Sequence, residues 1–205
     1  MRPKSGVVIY IHGVQGSADE AQDFSFIKQY HVKGLDYEDG SPWALGETIK
    51  TKFKELIRGY KDVFVIANSI GAYYTYTYLK EFKIKKAFFI APLASMKSII
   101  IWRMIKEKVS VKELEEKKFI KLENGHEFDY EFYKKYVIDG YEEEWEVPTE
   151  ILYPSNDEII IYEDVLKFVI NHPKCNLTIK TNSMHYMHTE EEKEYIKKWI
   201  LDRLE

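Results

Sequence analysis

The sequence holds a single cysteine, Cys175, so no disulfide can form within the chain and a scaffold of cross-linked loops is excluded. Proline and glycine are scarce, with 6 and 10 residues in 205, which excludes collagen-like and low-complexity chains. Excess positive charge is missing too. The formal net charge is -4, which offers no electrostatic footprint for a nucleic acid. The longest strongly apolar run, around Ile99, Ile100, Ile101 and Trp102, is far too short to span a bilayer, so no membrane partner is expected. The first five residues, Met1-Arg2-Pro3-Lys4-Ser5, show no apolar h-region or cleavage site, and no secretion signal is read there. With the lone cysteine, this makes a cytoplasmic setting the expectation.

What remains is a globular composition, 45% hydrophobic and 31% charged, in a chain long enough for one domain with a sizeable core. Short apolar, β-branched runs lie at 6–11, 32–35, 63–67, 87–91, 150–153 and 177–180. Several are apolar almost throughout, the pattern of strands buried on both faces of a parallel sheet. Amphipathic stretches at 48–60, 70–82, 159–171 and 190–204 read as the helices between them. The alternation predicts a doubly wound α/β fold, with a mostly parallel sheet flanked by helices. One interval breaks it. Residues 93–147 far exceed the dozen or so that a crossover needs. They are too rich in helix-forming and aromatic residues for a linker, and they read as a helical cap inserted into a single domain. The chain also has 16 tyrosines, four of them at 73, 74, 76 and 78, best read as packing of a helix against the sheet and a wet cleft.

The chemistry concentrates where strands end. Val63-Phe64-Val65-Ile66-Ala67-Asn68-Ser69-Ile70-Gly71 is a buried strand running straight into a helix, with Ser69 at the junction. A nucleophile on such a turn needs small residues two before and two after it, and Ala67 and Gly71 meet that need. The competing reading is that Ser69 only caps the helix. The first strand ends in His12-Gly13-Val14-Gln15-Gly16-Ser17. A sharp turn there can bring the Val14 N–H towards that of Ile70, two donors for an oxyanion, while Gly16 and Ser17 open a helix. The His12 side chain is read as a packed, hydrogen-bonded shaper of this loop.

Of six histidines, His185 and His188 lie in the loop after the last strand, where a general base could reach Ser69. His185 is favoured, being nearer the strand end, whereas His188 is placed to cap the final helix. A two-histidine metal site is the weaker alternative, for want of a third ligand at a metal spacing. The preceding strand is followed by Ser155-Asn156-Asp157-Glu158. Asp157 is favoured to orient the base, with Glu158 opening the next helix.

His12-Gly13-x-x-Gly16-Ser17, Ala67-x-Ser69-x-Gly71, the Asp157 segment and the run from Ser183 through His185 to Glu191 together resemble the α/β-hydrolase family. The resemblance covers nearly the whole chain, the cap least of all. It implies a minimal six-stranded member lacking the first hairpin, a Ser69–Asp157–His185 triad, and the Val14 and Ile70 amides as the oxyanion hole. It also implies a carboxylesterase-like activity on a small-molecule acyl substrate, without a cofactor. A peptidase, a thioesterase or a non-catalytic binding module of the same fold are the alternatives. Alanine at 67, in place of the family's usual glycine, is a departure.

Overall fold

A computed structural model of the chain describes residues 5–38 and 40–204; the segment 1–4, read above for a signal, lies outside the described residues. These form two compact units, residues 95–143 and the remainder.

The larger unit is a six-stranded sheet. Its strands are β1 (Gly6–Ile11), β2 (His31–Gly34), β3 (Asp62–Asn68), β4 (Lys86–Ile90), β7 (Thr149–Pro154) and β8 (Cys175–Lys180), in the order β2-β1-β3-β4-β7-β8. Every neighbouring pair is parallel. All six residues of β1 and all but the ends of β3 are buried, which is why these runs carry no polar alternation. Adjacent residues serve opposite faces. Phe88 meets Trp199 of α7 (Glu190–Leu201), and Phe89 meets Tyr76 of α2 (Ile70–Tyr78). On the Phe88 face, Val8, Tyr10, Phe64, Ile66 and Leu152 pack with Phe24 of a 3-10 helix (Ala18–Phe24) and with Ile196 and Ile200 of α7. On the Phe89 face, α2 packs beside α1 (Gly46–Leu56), and its Tyr76 ring meets Phe168 of α6 (Tyr162–Asn171). The tyrosine cluster is packing, with hydroxyls spent locally: Tyr76 donates to the Leu93 carbonyl and Tyr78 to that of Pro42.

Three boundaries differ from expectation. The helix expected from 159 begins only at Tyr162, so Glu158 does not open it. The Asp157 carboxylate takes the amides of Ile159 and Ile160, holding that stretch in a turn. His188 does not cap α7. Thr189 does, in a capping box with Glu192, while His188 Nδ1–H donates to the Tyr186 carbonyl. Trp145, expected in the cap, is buried in the larger unit, near Phe89 and donating to Thr149 Oγ1 at 2.7 Å.

The smaller unit contains α3 (Met96–Lys106), α4 (Val111–Lys117), an antiparallel pair β5 (Phe119–Lys121) and β6 (Glu127–Asp129), and α5 (Tyr130–Tyr133), which runs on into a π turn. The insertion is therefore not purely helical. Each short strand buries only its central residue, Ile120 or Phe128, against Met104 and Leu114, and the alternating charges around them hide the strand signal. Its carboxylates are tied locally: Glu143 accepts from Tyr136 and Tyr141 hydroxyls, and Glu107 pairs with His126 at 2.7 Å. The hydrogen bond from His126 holds the Glu107 carboxyl below its usual range.

Candidate active site

Because the sheet is parallel, the loops that follow its strands gather at one edge, where ligands meet open α/β sheets. Ser69 joins β3 to α2 with φ 51° and ψ -118°, a conformation that L residues avoid. The elbow is held from several directions. Ser69 N–H donates to the Ile90 carbonyl, and its own carbonyl accepts from Leu93 N–H. The helix crosses β1 so closely that a Cβ on Gly71 would stand 2.4 Å from the Ile11 carbonyl oxygen. That contact explains the need for glycine at 71. At 67 an alanine fits, wholly buried within the strand. The Ser69 hydroxyl makes no capping bond to the helix, which removes the capping reading.

Instead the hydroxyl lies 3.1 Å from His185 Nε2. His185 Nδ1 lies 2.8 Å from Asp157 Oδ2. Asp157 Oδ1 accepts from the N–H groups of Ile159 and Ile160, both at 2.8 Å. The Asp157 side chain is 0% exposed and that of His185 6%, so the chain of bonds is shielded from water except at the serine end. A carboxylate facing Nδ1 fixes the proton there and leaves the Nε2 lone pair for the serine hydroxyl. The two loops are also sewn together. Asn156 N–H donates to the Ser183 carbonyl, Asn182 N–H to Ser155 Oγ, and Ser155 N–H to the Lys180 carbonyl.

After β1, Gly16 N–H bonds the Gly13 carbonyl and closes a turn that leaves the Val14 amide outside it, with Gln15 at φ 61°. Val14 lines the same cleft, of about 350 Å³, as Ser69 and His185. Ile70, as the first residue of α2, has an N–H with no partner inside the helix. His12 is 1% exposed. It donates from Nδ1 to the Gly13 carbonyl and stacks on Tyr37, holding this loop from below. The cleft has further walls that motif reading did not single out: Glu20 on the 3-10 helix, Asn68 at the end of β3, and Ile159 and Tyr186 in the loops that carry Asp157 and His185. Among the described residues, no group of three metal-ligating side chains exists, and His188 faces its own backbone.

No protein-family model matches the chain, and no curated protein matches it in sequence. Solved structures do. A marine microorganism esterase superposes with a TM-score of 0.56, covering 95% of this chain and 94% of its own at 18% identity. Mouse alpha/beta hydrolase domain-containing protein 10 gives 0.69, with 97% and 89% covered at 16% identity. The chain has the α/β-hydrolase fold. A Bacillus megaterium epoxide hydrolase also shares it, with a TM-score of 0.64, 97% and 93% coverage and 13% identity. An esterase and an epoxide hydrolase on one α/β-hydrolase fold show that the chemistry must be argued from the site. No described helix is long and apolar enough to cross a membrane.

Proposed function

We propose that the protein is a serine hydrolase that cleaves a carboxylic ester of a small molecule through an acyl-enzyme intermediate. The observation that carries this reading is the unbroken chain from Ser69 Oγ through His185 to a doubly anchored Asp157. In the proposed mechanism Ser69 attacks the substrate carbonyl carbon while His185 Nε2 takes its proton. The carbonyl oxygen becomes an oxyanion held by the N–H groups of Val14 and Ile70. Each such donor supports a rate factor of about 10²–10³. Asp157 stabilises the imidazolium without taking its proton. His185 then protonates the leaving oxygen, and the C–O bond breaks. Water, activated by the same histidine, attacks the acyl-enzyme and restores Ser69. Such a mechanism needs no cofactor, and the single cysteine, buried on β8, suits a reducing cytoplasmic setting. The likeness to an esterase supports the reading at the level of fold only.

The test is hydrolysis of short p-nitrophenyl esters by the wild type and three variants. Ser69→Ala and His185→Ala should each lose about 10⁴-fold or more, and the double variant should be little worse than either. His188→Ala should lose far less than either, since its ring bonds the Tyr186 carbonyl rather than Ser69. A Ser69→Ala protein that hydrolyses these esters near the wild-type rate would contradict the assignment.

A further inference from the structure

A second cleft, of about 330 Å³, adjoins the one that holds Ser69, and the two share Glu20, Asn68 and Tyr186 as common walls. Its volume is in the range that ligand sites occupy. Phe24, Phe26, Ile90, Met187 and Ile196 give it an apolar lining that includes two aromatic rings. Phe26 is only partly buried, its ring 6.1 Å from that of Phe24. The polar walls are biased towards negative charge. Glu20 accepts from the Tyr10 hydroxyl and from Ser17 N–H, and no cation pairs with it among the described residues. Asp23 adds a second carboxylate, whereas Lys193, also on the wall, is paired with Glu190.

Resting on the hydrolase reading above, we infer that this cleft receives the alcohol arm of the ester, and that the preferred alcohol is aryl-alkyl without negative charge. The side is decided by His185. Its Nε2 must protonate the leaving oxygen, so the alcohol departs past the histidine loop, and Tyr186, Met187 and His188 of that loop form one wall of the cleft. The chemical class follows from the rings of Phe24 and Phe26, which favour an aromatic group. The unpaired Glu20 carboxylate at the junction disfavours an anion passing it.

The experiment compares kcat/KM for ethyl acetate, 2-phenylethyl acetate and the para-carboxylate of the latter. The wild type should prefer 2-phenylethyl over ethyl by about tenfold or more, and should disfavour the carboxylated ester by a similar factor. Phe26→Ala should lower the phenylethyl-to-ethyl ratio about tenfold. Phe26→Leu, which keeps an apolar side chain for folding, should lower it by a smaller step in the same direction. An unchanged ratio in a folded Phe26 variant, or a preference for the carboxylated ester, overturns the inference. Binding of 2-phenylethanol, followed by ligand-observed NMR, separates the two readings. If no ester is turned over but 2-phenylethanol binds the wild type and not Phe26→Ala, the hydrolase reading falls and the aromatic site stands. If 2-phenylethanol does not bind the wild type, the site falls.

Discussion

Replacing Asp157 by asparagine should separate catalysis from folding. The carboxylate accepts three hydrogen bonds, from Ile159 N–H, Ile160 N–H and His185 Nδ1, all at 2.8 Å. Asparagine has one acceptor oxygen and one NH₂ group in the same space. Turned with its oxygen towards the two backbone amides, it keeps two bonds. The opposite orientation would set its NH₂ against two N–H donors. The first therefore wins, and the NH₂ then faces His185. Nδ1 must become the acceptor, the ring proton moves to Nε2, and the lone pair that Ser69 needs is gone. Loss of the base in this way costs about 10⁴-fold in kcat, which at 1.36 kcal/mol per tenfold is about 5.4 kcal/mol of barrier. Stability should change little, because both backbone bonds persist. Asp157→Ala should be equally inactive and in addition lose about 1–3 kcal/mol, since the amide of buried Ile160 is left without its acceptor. The assay is p-nitrophenyl ester hydrolysis alongside urea denaturation of the three proteins. An Asp157→Asn enzyme within tenfold of wild type would refute the reasoning, as would one that is inactive only because it is unfolded.

Three further outcomes follow from the same geometry. Ser69→Gly should be more stable than Ser69→Ala by about 1 kcal/mol, because at φ 51° and ψ -118° relief of backbone strain outweighs glycine's extra freedom in the unfolded chain; denaturation midpoints of the two inactive variants check this. Gly71→Ala should cost roughly 3 kcal/mol or more, since its Cβ would stand 2.4 Å and 2.7 Å from the carbonyl oxygens of Ile11 and His12, both rigid backbone; the same measurement reads it. Burial pushes the Cys175 thiol up to about 12, so at pH 8 only about one part in 10⁴ is thiolate, and the native protein should not react with a disulfide reagent until denatured.

Much of the core was legible because burial on both faces of a parallel sheet leaves an unmistakable trace. The run at 6–11 became β1 at its full length, and those at 63–67 and 87–91 became β3 and β4 within one residue at either end. The positions of Ser69, Asp157 and His185 after three strands were readable for the same reason, and the structure brings those side chains into one hydrogen-bonded row. Where the reading slipped, a local side chain had overridden propensity. The Asp157 carboxylate takes two amides that would otherwise have started α6, so an apolar stretch with helical periodicity begins as a turn. In the insertion, a three-residue strand with one buried side chain has no periodicity to read, and β5 and β6 were invisible. Trp145 looked like cap composition because an indole has no sequence mark for the partner it will pack against. The second cleft depends on Phe26 together with Met187 and Ile196, two distant parts of the chain that no local pattern joins.

The most direct measurement of the central claim is labelling with a fluorophosphonate probe, with the modified residue mapped by mass spectrometry. Phosphonylation requires an activated serine hydroxyl, a nearby base and an oxyanion site, which are the parts the proposed mechanism assigns to the cleft that Ser69 and His185 line. A single adduct on Ser69, absent from the Ser69→Ala and His185→Ala proteins and from denatured wild type, is the predicted result. Folded wild type that stays unlabelled, or that carries its adduct on another residue, would contradict the account.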